Sequence, residues 1–324
     1  MSDIASTALT SPSGSVEPGS VVVVGSINVD QLIRIHRHPK PGETLIGTSM
    51  EFLPGGKGAN QAVAAAQLGA RVSMVGAVGR DSQAVVAGAI LTSAGVEQSA
   101  VRTVDRPTGL ALVSVAADGE NTIVIIPGAN AVMDAEAVQA SATLIAAATV
   151  VVLQGEIPAD GIVRAAQLAT GRVVLNLAPV IELDAEVIRR ADPLVVNEHE
   201  AALVLAQLEP QRAIPTDDAE LVARLRESGV ASVVLTRGAR GAICADRDGT
   251  HSVASPTVVA VDSSGAGDAF VGALSAQLAA GAPLLRAVGL AVRVGAFAVQ
   301  GRGTQTSYPM LADVLPTTNA MVHA

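Results

Sequence analysis

Two rhythms of apolar and polar residues alternate along this chain. Short runs rich in β-branched residues recur at Val21–Gly25, Arg71–Val78, Ala148–Leu153, Val173–Leu177, Leu194–Val196 and Ser232–Thr236. A continuous apolar run of this length, such as the four valines before Gly25, reads as a strand buried on both faces. Between these runs lie helical stretches at Ala59–Leu68, Ala159–Ala169 and Asp217–Ser228. Gly69 follows the first of them, where a left-handed residue closes a helix. The alternation predicts an α/β fold: three α/β/α layers around a mostly parallel central sheet with helices on both faces. The rhythm breaks at 31–53 and 104–126, where short apolar runs alternate with turn residues such as Asp118-Gly119. Both segments are read as small antiparallel strands inserted in the α/β body and assembled into one lid-like β-sheet.

Composition narrows the function. The chain has 324 residues, 49% of them hydrophobic, with Ala and Val far outnumbering aromatics. Its net charge of −9 argues against non-specific nucleic-acid binding. Cys244 is the sole cysteine, so no internal disulfide forms, and the five histidines show no zinc-ligand spacing with it. Residues 1–20 are rich in Ser, Thr, Pro and Gly without an apolar core, which reads as a tail rather than a secretory leader. The main domain is placed at 21–315 and a short C-terminal tail at 316–324. The longest uncharged stretch, Ala269–Leu285, is broken by Gly272, Ser275, Gln277, Gly281 and Pro283. It fits a buried helix and a turn better than a membrane span. The expected compartment is the cytoplasm.

The strongest chemical segment is Val261-Asp-Ser-Ser-Gly-Ala-Gly-Asp-Ala-Phe270. A strand-like run, Thr257–Val261, leads into it and a helix follows. Gly265, Ala266 and Gly267 turn the backbone at a helix N-terminus, where free amides attract phosphate or developing negative charge. Asp268, in the first turn, either accepts a proton from an attacking hydroxyl or caps the helix. Pro54-Gly-Gly-Lys-Gly-Ala-Asn-Gln61 is not a Walker A loop, since Glu51 and Gly58 stand where its Gly and Ser/Thr belong. Its Gly56, Lys57 and Asn60 suit hydroxyl recognition, or the segment is a glycine turn with a solvated lysine. Asn28 and Asp30, after the first strand, either bind polyol hydroxyls or form an Asx turn. Glu156 also follows a strand. Asn197-Glu-His-Glu200 offers groups for ordering Mg2+ through water, or an N-cap with acidic first-turn residues. Thr236-Arg-Gly-Ala-Arg-Gly241 carries a nucleotide or forms a hairpin.

Taken together these segments resemble the ribokinase-like (PfkB-type) carbohydrate kinases. The resemblance runs from about Val21 to Pro309 and includes GSINVD, PGET, GGKGANQA, GEN, GAN, NEHEA and VDSSGAGDAF. It implies ATP-dependent phosphorylation of D-ribose at O5, with Asp268 as general base and Gly265–Gly267 as the anion hole. Asn28, Asp30, Gly56, Lys57, Asn60 and Glu156 would then hold the sugar. Thr236, Arg237, Gly238, Ala239, Arg240 and Gly241 would line the ATP site, joined by Asn197 and Gly267. Asn197 and Glu200 would organise Mg2+. An activating K+ would take Asp262, Ser264, Ala298, Gly301, Gly303 and Ser307. The family's clasped lids imply a homodimer. A related kinase for deoxyribose, a nucleoside or another sugar is the alternative within the class. A catalytically silent sugar-binding protein is the alternative outside it.

Overall fold

The computed structural model describes residues 19–318. The expected tails, 1–20 and 316–324, lie outside that range except for 19–20 and 316–318. The path begins with β1 (Ser20–Val24), β2 (Asn28–Arg34), β3 (Ser49–Gly55), α1 (Lys57–Gln67), β4 (Arg71–Gly79) and α2 (Ser82–Ser93). It continues with β5 (Val101–Val104), β6 (Gly109–Val115), β7 (Asn121–Ile126), α3 (Ala135–Gln139), α4 (Ala142–Ala147), β8 (Val150–Gln154), α5 (Ala159–Leu168) and β9 (Arg172–Asn176). Then come α6 (Ala185–Arg189), β10 (Leu194–Asn197), α7 (Glu198–Leu208), α8 (Asp218–Glu227), β11 (Val233–Thr236), β12 (Ala242–Asp246), β13 (Gly249–Val253), α9 (Ala266–Ala279) and α10 (Leu284–Ala298).

The large sheet has nine strands in the order β13-β12-β11-β10-β9-β8-β1-β4-β5. Its strands are parallel except β12, which runs antiparallel to both of its neighbours, β11 and the edge strand β13. The apolar runs are buried on both faces, as expected. Val21 and Val23 pack in a core with α1, α2, α9 and α10, while Val22 and Val24 pack in a second core with the helices from α3 to α8. Each fully buried valine contributes on the order of 1.5–3 kcal/mol. A charged residue at Val22 would therefore lose that burial and leave a charge unpaired in the second core. Helix α1 ends as anticipated: Gly69 takes φ +89°, its N–H donates to Ala66 O at 2.9 Å, and Ala70 N–H donates to Ala65 O at 3.2 Å. Among the described residues, no helix is long and apolar enough to cross a membrane.

The separate small sheet has the order β3-β2-β6-β7. Its two hairpins are antiparallel, but β2 and β6 pair in parallel, which corrects the antiparallel expectation. The reason is topological: β2 leaves the carboxyl end of β1 and β6 leaves that of β5, and both parent strands point the same way. A second correction concerns Thr257–Val261, which forms no strand. Val261 and Asp262 N–H groups instead both donate to Val299 O, beyond the end of α10, and Val259 and Val261 face solvent. The run keeps a strand-like composition but has no neighbouring strand to pair with.

One packing contact decides the site. A Cβ on Gly272 of α9 would lie 2.5 Å from Ala64 Cβ and 2.7 Å from Gln61 O of α1. The missing side chain lets the two helices approach closely. Gly272 sits one turn after Asp268, so the contact carries Asn60 and Gln61 to Asp268.

Candidate active site

All the parallel strands of the large sheet end on one side, where ligands of open α/β sheets bind. The segments after β1, β8, β9, β10 and β11 and the N-termini of α1 and α9 meet there. Asp268 is 6% exposed. Its Oδ1 accepts from Gln61 Nε2 and its Oδ2 from Asn60 Nδ2, each at 2.9 Å. Its carboxylate thus bonds α1, and the N-cap of α9 is Gly265, left-handed at φ +70°. The first-turn amides of α9 have no partners within the helix.

Around the carboxylate lies a charged, polar cluster. Glu156 Oε2 accepts from Ser26 Oγ at 2.5 Å and from Lys57 N at 3.1 Å. Ser26 Oγ also accepts from Gly58 N at 3.2 Å. Burial raises the Glu156 carboxyl above its ordinary range, against Lys57 and the Ser26 hydrogen bond. Asp268 foremost holds the Lys57 ammonium above its usual value, desolvation opposes this, and Glu156, Glu200 and Asp30 add to the rise. Asp30 is pushed to about 7, first by burial and then by Glu156 and Asp268, with Lys57 opposing. Asn28 Oδ1 accepts from Asn130 Nδ2 at 2.7 Å, which leaves the Asn28 NH2 as a donor to a ligand. Gly56, at φ +88°, backs against Asn28 N. The residues expected to hold a sugar therefore form one cluster around Asp268.

On the other side of Asp268 opens a cavity of about 490 Å3 with mainly apolar walls. Thr236, Gly238, Ala239, Gly241 and Val292 line it, and Gly267 lies at the α9 end. Arg237 and Arg240 turn elsewhere. Arg237 Nη2 donates to Ser252 Oγ at 2.9 Å, and Arg240 pairs with Glu198 and Asp218 at 2.7 and 2.9 Å. The Thr236–Gly241 link joins two antiparallel strands, so it is a hairpin that also borders the cavity.

Asn197 and Glu200 form a reciprocal cap on α7: Glu200 N donates to Asn197 Oδ1 at 2.8 Å and Asn197 N to Glu200 Oε2 at 2.9 Å. Glu200 Oε1 stays free for a water, and burial raises this carboxyl. Among the described residues, no cluster of three or more His, Cys, Asp or Glu side chains could hold a metal. Asp262 accepts from Ser264 N at 2.9 Å and from Gly303 N at 3.0 Å, clasping the segment before α9 to the loop after α10. In that loop Ala298 O accepts from Gly301 N at 3.1 Å, and Ser307 Oγ donates to Thr304 O at 2.8 Å.

Sequence reasoning assigned no role to Gln61, Gln154, Asn176 or Gln305. Gln154 and Asn176 each carried a signal: a lone polar residue ends an apolar strand at the site's edge.

The sequence profile of the pfkB family carbohydrate kinases matches residues 19–311. Ribokinase from Schizosaccharomyces pombe is 36% identical over 307 residues, covering 91% of this chain and 96% of its own length. Deoxyribokinase from Salmonella typhi is 35% identical over 300 residues, covering 90% and 96%. The solved structure of Arabidopsis thaliana ribokinase complexed with ribose and ATP superposes with a TM-score of 0.82 at 30% identity, covering 91% of this chain and 97% of that one.

Proposed function

This chain belongs to the pfkB family of carbohydrate kinases, and on that premise we propose that it transfers the γ-phosphoryl group of ATP to O5 of D-ribose, giving ADP and D-ribose 5-phosphate. One observation carries the reading: the buried Asp268 carboxylate stands at the α9 N-terminus, between the polar cluster around Asp30, Lys57 and Glu156 and the mainly apolar cavity. It is where a sugar hydroxyl and a nucleotide phosphate would meet. Asn28, Asp30, Gly56, Lys57, Asn60 and Glu156 hold the sugar. The hydroxyl attacks phosphorus, its proton passes to Asp268, and the bond from phosphorus to the bridging oxygen of ADP breaks. The α9 amides at Gly265–Gly267 face the charge spread over the transferring group. Thr236, Gly238, Ala239 and Gly241 border the nucleotide. On this reading the enzyme works in the cytoplasm, beside its ATP supply.

Replacing Asp268 by Asn keeps the shape and removes the proton acceptor. The expected loss in kcat is about 10²–10⁴-fold, the usual worth of a positioned base, with ribose binding by calorimetry little changed. Turnover near that of the wild type would sink the assignment. The Salmonella typhi relative keeps deoxyribose as a second reading. A buried polar group deprived of its hydroxyl partner costs about 1–3 kcal/mol, so ribose should exceed 2-deoxyribose in kcat/KM. The reverse preference would move the assignment.

Two ion sites and a dimer belong to the same reading. With only Glu200 Oε1 left over from the α7 cap, Mg2+ fits here through water and the nucleotide's own phosphates, whose charge it neutralises when bound. The Asp262 carboxylate with Ser264, Ala298, Gly301, Gly303 and Ser307 is an all-oxygen donor set suited to K+, behind the Gly265–Gly267 turn. Activity should be clearly higher in potassium than in sodium at equal ionic strength. Equal rates in potassium, sodium and a bulky organic cation would count against that site. The small sheet exposes Met50, Phe52 and Ile123 to Ile126, an apolar surface that a second copy's lid would cover. Sedimentation at assay concentration should give a homodimer.

A further inference from the structure

Asp268 is held by a web of buried side-chain amides. Gln61 Nε2 donates both to Asp268 Oδ1 and to Asn176 Oδ1, at 2.9 Å each, while Gln61 Oε1 accepts from Gln154 Nε2 at 2.8 Å. Asn176 Nδ2 donates to Val195 O at 3.0 Å. A main-chain carbonyl only accepts, so it fixes the sense of the whole chain. Asn176 must present its oxygen to Gln61, and Gln61 must present its NH2 to Asp268. On the other side, Asn60 donates to Asp268 Oδ2 and accepts from Gln305 Nε2 at 2.9 Å. Here the acceptor is the carboxylate itself, so Asn60 turns its NH2 to Asp268 and its oxygen to Gln305. Asn60, Gln61, Gln154, Asn176 and Gln305 are all buried. Gln154 Oε1 and Gln305 Oε1 are buried and accept from no protein donor.

We propose that Gln61 and Gln305 are positioning residues for the catalytic base, Gln61 by direct donation to the carboxylate and Gln305 through Asn60. The inference rests on reading Asp268 as that base. With each oxygen accepting one fixed N–H, the carboxylate cannot rotate, and its remaining lone pairs face the hydroxyl. Asp30 from β2, Glu156 after β8 and Glu200 from α7 set further negative charge around Asp268. Lys57 from α1 is the facing cation, and the Tyr308 phenol is buried nearby.

The test uses purified full-length Gln61→Met and Gln305→Met, with Asp268→Asn alongside, assayed for kcat, both KM values and the pH dependence of kcat at saturating ribose, where bound sugar already holds Asp30 ionised. Gln61→Met is expected to lower kcat by about 10–100-fold with KM for MgATP within about twofold, and to move the acid limb of the profile upward by about one pH unit. Gln305→Met should move the limb the same way by less and lower kcat by about 3–10-fold, since it acts through Asn60. Should Gln61→Met fail to fold, Gln305→Met, whose amide bonds only Asn60, decides the question. Reduced activity with acid limbs that superimpose on the wild type would mean that the amides only stabilise the fold, and would overturn the inference. An active Asp268→Asn would instead overturn the assignment of the base itself.

Discussion

Two glycine-rich turns frame the active site, and they differ in what surrounds them. In the turn that starts α1 there is no spare room. A Cβ on Gly55 would lie 2.2 Å from Asp30 Oδ1, one on Gly56 2.7 Å from Asn28 N, and one on Gly58 2.7 Å from Ser26 N and O. In the turn that starts α9, Gly267 is exposed, and a Cβ there would meet nothing within 4 Å. Gly265 is intermediate: it is left-handed and backs onto the Tyr308 hydroxyl, 2.6 Å from where its Cβ would be. The folded protein itself requires the glycines of the first turn. It does not require Gly267, so the bareness of that position points to something that arrives from outside, as a transferring phosphate does. The first turn is a preassembled socket, and the second is an open edge.

Alanine at Gly58 tests the socket most severely. The obstructing atoms are main chain, of Ser26 and Gly25, which cannot rotate aside. Overpacking of this kind costs about 1–3 kcal/mol, and the upper end is expected here. For a chain of 324 residues that corresponds to a drop in Tm of about 4–5 °C, measurable by calorimetry. A wild-type Tm would show that the socket yields, and the contrast between the turns would fail.

Alanine at Gly267 should do the opposite. The position is helical, and replacing a helical glycine by alanine stabilises by about 0.4–1 kcal/mol. Tm should hold or rise slightly. On the proposed reading the added methyl would intrude where the phosphate approaches the amides, so kcat/KM for MgATP should fall by about 10–100-fold, short of the full loss of an anion-hole donor. A variant that is both stable and fully active would place the phosphate elsewhere.

The same contrast explains what could be read from the sequence. Both turns are contiguous motifs, Gly56 to Asn60 and Gly265 to Asp268, and the valine runs of the sheet are local patterns. Local patterns survive without a structure. The amide web does not: Asn60 and Gln305 are 245 residues apart, and Gln61 and Gln154 are 93 apart. Each is an unremarkable polar residue until close packing at Gly272 brings α1 and α9 together. The arginines at 237 and 240 looked suited to a nucleotide because their carboxylate partners, Glu198 and Asp218, lie in other elements. The parallel pairing of β2 with β6 likewise depends on which strands they leave, a long-range property that no short run encodes.

The mildest effect expected comes from Asp30, which borders the socket. The crowding that forbids a Cβ on Gly55 also takes water from the Asp30 carboxyl. Burial first, then Glu156 and Asp268, push it from its ordinary 3.8 to about 7, with Lys57 opposing. The sign follows from proton uptake. Between about pH 4 and 7 the folded protein holds a proton that the unfolded chain has released, so this group's stabilising contribution is complete below about pH 4 and is lost as pH rises through 7. If Asp30 holds the sugar as proposed, sugar binding runs the other way. A hydroxyl donating to the carboxylate selects the ionised form, so ribose binds better as the pH rises toward 8. With the midpoint near 7, about a tenth of Asp30 is ionised at pH 6 and about nine tenths at pH 8. KM for ribose should therefore be about three- to tenfold higher at pH 6 than at pH 8, with KM for MgATP much less affected. Asp30→Asn should raise KM and flatten that dependence. A wild-type KM that does not change over this range would mean that Asp30 is already ionised before the sugar arrives, and that the socket is wetter than its packing implies.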